Sequence, residues 1–164
     1  MIAADSARYE RNAFAVVRVV DGDTLHLDAP DGEGRTTKVR LLGIDAPEMG
    51  DAANKPMYFA EEATRFATDL ALRKVVTIYL DERAGTRDKY DRLLAYVELP
   101  DGRFLNEELL LGGYVYADLR FRHSYYHKYK QLEASARATK AGLWAGVSPE
   151  QMPSWRRKTR PDAE

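Results

Sequence analysis

The segment FAVVRVVDGDTLHLD (residues 14–28), continued by TTKVRLLGI (residues 36–44), decides the fold. Alternating and β-branched apolar residues predict a strand over residues 14–20, and Asp21-Gly22 is a turn signal that leads into a second strand over residues 24–28. A third strand is predicted over residues 36–44, and it ends at Ala46-Pro47 because proline cannot continue a hydrogen-bonded ladder. The three strands form a meander with short connections.

Downstream of the meander, the pattern predicts one helix, two more strands and two C-terminal helices. Apolar residues at helical spacing predict the first helix over residues 58–73, and apolar, β-branched runs predict strands over residues 75–80 and 93–99. We expect a short helix with Asn106 as its N-cap and a last helix from about Ser124 to Gly142. This order is typical of a five-stranded barrel of the OB type, an α+β fold that is mainly β.

The length of 164 residues fits one domain with a sizeable core. We predict an N-terminal extension at residues 1–13, the barrel domain at residues 14–146 and a polar C-terminal tail at residues 147–164. Trp144 and Trp155 are expected to anchor the C-terminal end to the barrel. No apolar run approaches the roughly 20 residues that are needed to span a bilayer.

Composition restricts the chemistry. The absence of cysteine excludes disulfides, thiolate zinc sites and a cysteine nucleophile. The formal net charge is −1, but the charges are uneven, with 15 basic and 21 acidic residues in residues 1–114 against 10 and 5 in residues 115–164. The basic half could hold a polyanion against an acidic metal site, or it could simply be a solvated helix and tail.

Carboxylates stand at predicted turns and strand ends without a cysteine or histidine cluster nearby. Asp45 directly follows the apolar residues 41–44, so we expect its carboxylate to be shielded from bulk water, where an unpaired charge is costly. A cation shared with Asp23 would relieve that cost, and oxygen ligands suit a hard cation, calcium before zinc. For Asp23 a purely conformational role remains open, because Asp-Gly turns are common in hairpins.

Three short segments carry the functional signal: DGDT (residues 21–24), RLLGIDAPE (residues 40–48) and DKYDR (residues 88–92). In this order and within this strand pattern, they resemble the active-site signature of the staphylococcal nuclease (thermonuclease) family. The resemblance runs from about Phe14 to Trp144. It implies a barrel enzyme that hydrolyses phosphodiester bonds of nucleic acid with Ca²⁺.

The resemblance also implies roles for individual residues. Its Ca²⁺ ligands would be Asp23, Asp45 and the main-chain carbonyl of Ala46. Glu48 would be the general base that takes a proton from water. Arg40 and Arg92 would stabilise the five-coordinate phosphorus, because guanidinium groups grip phosphoryl oxygens bidentately. Further positions that match supporting or substrate-contacting residues are Asp21, Asp88, Lys89 and Tyr90.

Some of these residues have plainer explanations, and two positions depart from the family pattern. Taken alone, Glu48 would be an exposed loop glutamate and Arg92 a solvated loop arginine. Where the family's prototype has two base-stacking tyrosines, this chain has Leu119, which cannot stack, and Phe121, which can. Asp91 stands where the prototype has glycine, and it either tolerates a left-handed turn or pairs with Arg92.

Two histidines near the start of the last predicted helix offer a possible metal site. His123 and His127 have the i, i+4 spacing that can bind a metal, but the glutamate of the zinc-protease motif is missing between them. We therefore predict that both are surface histidines.

We therefore predict a Ca²⁺-dependent endonuclease of DNA and RNA that prefers single-stranded or frayed substrates and acts as a monomer away from membranes. The family resemblance implies that it leaves 3′-phosphates. The alternative is a catalytically weak module of the same fold that binds nucleic acid or protein partners. Residues 1–5 are too short and polar for a signal peptide. We expect a secreted or cell-envelope bacterial protein whose signal peptide is absent from this sequence, with a cytoplasmic location as the alternative.

Overall fold

The computed structural model describes residues 2–158. Its strands are β1 (Ala13–Asp21), β2 (Thr24–Leu27), β3 (Thr37–Leu41), β4 (Ile44–Asp45), β5 (Val75–Tyr79), β6 (Leu93–Glu98) and β7 (Tyr116–Ala117). Its α-helices are α1 (Ile2–Tyr9), α2 (Ala60–Ala71), α3 (Leu105–Leu111), α4 (Tyr126–Ala138) and α5 (Ser154–Lys158). Two short 3₁₀ turns cover Gly142–Ala145 and Pro149–Gln151.

Five strands close into a barrel in the order β1-β2-β3-β6-β5, and β5 pairs back onto β1. All neighbours are antiparallel except β3 and β6, which are parallel. The inward side chains are aliphatic and fully buried, among them Leu25, Leu27, Val39, Ile78 and Leu93. The predicted α+β barrel of the OB type, with a helix between its third and fourth strands and helices at the C-terminal end, is confirmed.

The predicted third strand is interrupted at Gly43. This glycine has a φ of +81°, and a Cβ there would lie 2.6 Å from the ring of His123. The chain therefore leaves the barrel after β3, and β4 pairs with β7 in a separate two-stranded sheet. The prediction that His123 lies on the surface is wrong, because its ring is buried against Gly43 and shares a 2.8 Å hydrogen bond with the hydroxyl of Tyr96. His127 is exposed as predicted.

Asn106 does not cap a helix. α3 begins one residue earlier, and the Asn106 side chain is fully buried. Its amide accepts a hydrogen bond from the Val97 N–H (3.0 Å) and donates one to the Leu42 carbonyl (2.9 Å). Asn106 therefore ties β6 to the segment that connects β3 and β4, which holds the strand carrying Asp45 next to the barrel.

The N-terminal residues pack onto the barrel through α1. Tyr9 is fully buried, and its hydroxyl shares a hydrogen bond with Thr37 on β3. Asp5 receives two hydrogen bonds from Arg87, at 2.9 Å from Nε and 2.7 Å from Nη2. Arg87 also donates to Asp31 (2.6 Å), so one guanidinium joins α1, the loop after β2 and the segment just before residues 88–92.

Part of the predicted tail, residues 149–158, forms a 3₁₀ turn and α5, and the rest of that tail lies outside the described residues. No helix in the described part of the chain is long and apolar enough to cross a membrane.

Candidate active site

Two adjoining clefts open where β1, β3, β4 and the loop before β6 meet. The acidic cleft, of about 780 Å³, is lined by nine of the sequence-predicted residues: Asp21, Asp23, Arg40, Asp45, Ala46, Glu48, Lys89, Tyr90 and Arg92. The basic cleft, of about 810 Å³, shares four of these residues and adds the remaining two, Asp88 and Phe121. The structure therefore brings all the predicted site residues to one region at the barrel mouth.

A tight turn fixes the first carboxylates. Asp21 ends β1, and its Oδ1 accepts a hydrogen bond from the Asp23 N–H (3.1 Å). Gly22 lies between them, and a Cβ there would come within 2.9 Å of the Ala46 side chain. The absence of a side chain at Gly22 thus lets the two segments approach, and Asp23 Oδ2 accepts a 2.7 Å hydrogen bond from the Ala46 N–H.

Arg40 lies between the carboxylates of Asp23 and Asp45. Its side chain is 13% exposed, and Nη2 lies 3.3 Å from Asp23 Oδ2 and 3.1 Å from Asp45 Oδ1. Nη1 donates to the main-chain carbonyls of Leu41 and Ile44 at 2.7 Å each. The backbone of the interrupted third strand thus fixes the guanidinium, and the guanidinium in turn orients both carboxylates.

Three carboxylates, those of Asp21, Asp23 and Asp45, gather around Arg40 in the acidic cleft. Burial raises the pKa of Asp45 to about 6, with repulsion from Asp23 adding to the rise and Arg40 opposing it. Burial also raises the pKa of Asp21 to about 7, and the charge of Asp23 contributes. These carboxylates would be stabilised by a further positive charge, and their oxygen-only chemistry fits a hard divalent cation.

No three histidine, cysteine, aspartate or glutamate side chains in residues 2–158 are arranged as a ready-made metal cage. A site here would therefore rest on two carboxylates with main-chain and water oxygens.

Arg92 is oriented by Asp88. The Arg92 Nε donates to Asp88 Oδ2 at 2.7 Å, and the other carboxylate oxygen accepts the main-chain N–H groups of Tyr90 and Arg92 at 2.9 Å each. Asp88 thus closes the loop and holds the guanidinium by its Nε, so the terminal nitrogens can face the acidic cleft. Nη1 lies 3.4 Å from the hydroxyl of Thr24.

Asp91 adopts the left-handed conformation, with a φ of +63°. This agrees with a conformational role in the turn. The ion pair that the structure gives Arg92 within residues 2–158 is with Asp88, four residues earlier, and not with Asp91.

Two aromatic rings stand exposed beside the cations. Tyr90 is 68% exposed, and Phe121 is 63% exposed. The Arg92 guanidinium lies 5.4 Å from the centre of the Tyr90 ring, and the Arg120 guanidinium lies 5.4 Å from the centre of the Phe121 ring. Exposed rings next to cations can stack on bases while the cations contact phosphates. Glu48 is exposed at the edge of the acidic cleft.

Two further residues reach the site. Arg120 lies 3.7 Å from Asp45 Oδ1 and is held by Asp118, and the indole N–H of Trp155 donates to Asp45 Oδ2 at 2.7 Å. Trp155 was predicted to anchor the chain end to the barrel, but no residue pattern pointed to Asp45 as its contact. Its position as the single aromatic residue in a polar tail was the available signal.

A five-stranded barrel whose mouth gathers carboxylates, two fixed arginines and exposed rings has the composition of a site for a phosphodiester. A family model described as staphylococcal nuclease homologue matches residues 38–146. An uncharacterized endonuclease of Haemophilus influenzae is 32% identical over 151 residues, which cover 92% of this chain and 76% of that protein. The chain belongs to the staphylococcal nuclease family, as predicted.

Two other relatives agree with this assignment. An uncharacterized protein of Methanocaldococcus jannaschii is 32% identical over 148 residues, 79% of this chain and 70% of that protein. The thermonuclease of Staphylococcus hyicus is 28% identical over 144 residues, 87% of this chain and 82% of that protein.

Proposed function

We propose that this member of a nuclease family is a Ca²⁺-dependent endonuclease that hydrolyses phosphodiester bonds of DNA and RNA by attack of water and leaves 3′-phosphates. The observation that carries the proposal is the acidic cleft, where two carboxylates, Arg40, Glu48 and Arg92 face one space. The adaptor modules of this fold have no need for that combination, because binding alone requires neither a base nor a pair of fixed arginines.

The cation would be held by Asp23, Asp45 and the main-chain oxygen of Ala46. Bound there, it would supply positive charge next to the phosphate. We propose Ca²⁺ rather than Mg²⁺ because a site of two carboxylates completed by main-chain and water oxygens suits the larger ion, whose coordination geometry is more flexible.

The chain's own groups would carry the remaining steps. Glu48, exposed at the cleft edge, would accept the proton of the attacking water. Arg40 and Arg92 would donate hydrogen bonds to the phosphoryl oxygens as their negative charge grows. Breakage of the P–O5′ bond leaves the phosphate on the 3′ side, and the departing 5′ oxygen takes up a proton.

The substrate would lie across both clefts. Lys89, Tyr90 and Phe121 border the basic cleft, and stacking on the two rings needs unpaired bases. We therefore propose a preference for single-stranded or frayed nucleic acid, bound by a monomer.

The test is digestion of supercoiled plasmid and of single-stranded RNA in buffer with Ca²⁺, with Mg²⁺ or with chelator. We expect cleavage with Ca²⁺, little with Mg²⁺ and none with chelator. Fragments should accept a 5′ label from a polynucleotide kinase directly, and their 3′ ends should be extended only after phosphatase treatment.

Glu48→Gln should lower the rate by orders of magnitude. Glu33→Gln, in an exposed loop outside both clefts, is its matched control and should cleave at the wild-type rate. Equal cleavage in chelator and in Ca²⁺ would overturn the proposed function. Tight binding of single strands without any cleavage would favour the adaptor alternative.

A further inference from the structure

The C-terminal segment, residues 149–157, covers one side of the acidic cleft. Seven of its residues line the cleft, as do residues of the loop that carries Arg92. The segment is polar except for Met152, Trp155 and its prolines, yet Trp155 turns its indole toward the carboxylate of Asp45. Among the cleft-lining residues of this segment, Trp155 places an aromatic N–H directly on a proposed cation ligand.

The contact is specific. Trp155 Nε1 donates to Asp45 Oδ2 at 2.7 Å, and the other oxygen of the same carboxylate lies 3.1 Å from Arg40 Nη2. Each oxygen of Asp45 therefore has its own partner, which fixes rotation of the carboxylate about its terminal bond. The Arg120 guanidinium lies over the Trp155 ring, 4.9 Å from its centre, and makes a cation–π contact with it.

The segment is also anchored. Arg156, the next residue of α5, is 4% exposed and pairs with Glu133 Oε2 on α4 at 2.8 Å. Glu133 Oε1 accepts the N–H of Ala117 on β7 (3.2 Å), and β7 pairs with β4, which carries Asp45. Trp155 and Asp45 are therefore connected twice, directly and through a buried ion pair that ends on the same two-stranded sheet.

We propose that Trp155 is a positioning residue that holds the Asp45 carboxylate in the orientation that binds the cation. The proposal rests on the proposed function, because it assumes that Asp45 is a cation ligand. Residues that hydrogen-bond a ligand from outside typically contribute 10–100-fold to metal affinity. Loss of the indole N–H should therefore weaken Ca²⁺ binding, while the carboxylate, Arg40 and Glu48 all remain.

The experiment measures Ca²⁺ binding without substrate. Trp155→Phe keeps an aromatic ring for Arg120 but removes the N–H donor together with part of the indole. Trp144→Phe makes the same change in ring size away from Asp45 and is the matched control. Trp144, the other tryptophan, packs edge-on against Tyr116, and the Arg156 guanidinium lies 5.9 Å from the centre of its ring. The control therefore also reports any effect of disturbing the anchor of this segment. Calorimetric titration with CaCl₂ should show about 10–100-fold weaker binding for Trp155→Phe and unchanged affinity for Trp144→Phe.

Tryptophan fluorescence gives a second readout. In Trp144→Phe the emission comes from Trp155 alone and should change on addition of CaCl₂, whereas in Trp155→Phe the change should be lost. Thermal unfolding of both variants shows whether a loss of affinity follows a loss of fold. Weaker binding by a Trp155→Phe protein with a wild-type unfolding temperature supports the positioning role.

The outcomes separate the two proposals. If the wild-type protein binds Ca²⁺ and Trp155→Phe binds it equally well or more tightly, the positioning role is overturned and the proposed function stands. If the wild-type protein binds no Ca²⁺ and cleaves nucleic acid in chelator, both proposals fail. Arg156→Met removes the anchor of α5 and shows what detachment of this helix does to the unfolding temperature. If Trp155→Phe loses Ca²⁺ affinity and its unfolding temperature falls as far as that of Arg156→Met, detachment explains the loss and the role of the N–H is refuted.

Discussion

Replacement of Arg92 by lysine is the sharpest test of how the site would stabilise a reacting phosphate. The Arg92 Nε is engaged by Asp88 at 2.7 Å, so its terminal nitrogens are the groups left to meet two phosphoryl oxygens. Lysine keeps the charge but offers a single ammonium, which Asp88 would attract away from the cleft. Removal of one preorganised transition-state donor commonly costs ~10²–10³ in rate, or about 2.7–4 kcal/mol.

The same structure predicts a small effect on stability. The side chains of Arg92 and Asp88 are 26% and 17% exposed, and a partly solvated ion pair contributes at most about 1 kcal/mol. For a domain of this length, that loss corresponds to a fall of about 2–4 °C in the unfolding temperature. Arg92→Lys should therefore lower the cleavage rate by at least ~100-fold while it leaves folding almost unchanged.

The assay is single-turnover cleavage of a short labelled oligonucleotide at saturating Ca²⁺, which removes product release from the measured rate. Arg103→Lys is the matched control, because Arg103 makes a similar Nε contact with Asp101 (2.8 Å) outside both clefts. We expect the control to cleave at the wild-type rate. A rate for Arg92→Lys within about threefold of wild type would refute the assigned role, since the loss of one donor should cost far more.

Three further predictions concern two loops at the site and the N-terminal helix. Asp91→Gly should cleave near the wild-type rate because the φ of +63° suits glycine. A severalfold lower Michaelis constant for Asp91→Asn at low salt, with no difference at high salt, would instead indicate that Asp91 pairs with Arg92. Phe121→Ala should weaken binding of a single-stranded oligonucleotide by about 1–3 kcal/mol in a fluorescence titration, and an unchanged dissociation constant would exclude stacking. Asp5→Ala should cost about 2–4 kcal/mol in denaturant unfolding, because it removes both bonds from Arg87. The hydrogen bonds from Arg87 lower the pKa of the Asp5 carboxyl. The stabilisation is therefore complete above the ordinary carboxyl pKa and is lost as pH falls through the lowered pKa of Asp5. If Asp5→Ala cost the same free energy of unfolding at every pH, the assignment would be contradicted.

Local patterns predicted the barrel because its strands alternate and its turns use Asp, Gly and Pro. The same patterns could not show where the third strand breaks. Residues 41–44 read as a continuous apolar run, but the chain turns at Gly43 with a positive φ, and the buried His123 ring occupies the space that a side chain there would need. That ring comes from a segment 80 residues later, so the break depends on tertiary packing.

α1 was missed for a related reason. The segment of residues 2–9 is only eight residues long, and its packing depends on Tyr9 and on the Asp5 pair with Arg87, which lies 82 positions away. An isolated helix of this length is marginal in water, so its sequence carries no strong signal. The contact with the barrel, rather than intrinsic propensity, makes this segment helical.

The candidate site also has a part that local sequence patterns predict and a part that they do not. Asp23, Arg40, Asp45, Glu48 and Arg92 could be predicted to share one site because each lies in a short segment that resembles part of the family signature, and the structure brings them to one cleft. What orients them is less visible. The bond from Asp88 to Arg92 spans four residues and could have been guessed, whereas the indole of Trp155 reaches Asp45 across 110 positions.

The match to the family model ends at residue 146, before the segment that carries Trp155. The family pattern therefore accounts for a carboxylate at Asp45 but not for the direction in which that carboxylate points. In this chain the direction follows from a hydrogen bond on one oxygen and the Arg40 guanidinium on the other. Because metal ligands depend on the groups that orient them, two family members with the same ligands can differ in cation affinity through residues outside the shared pattern.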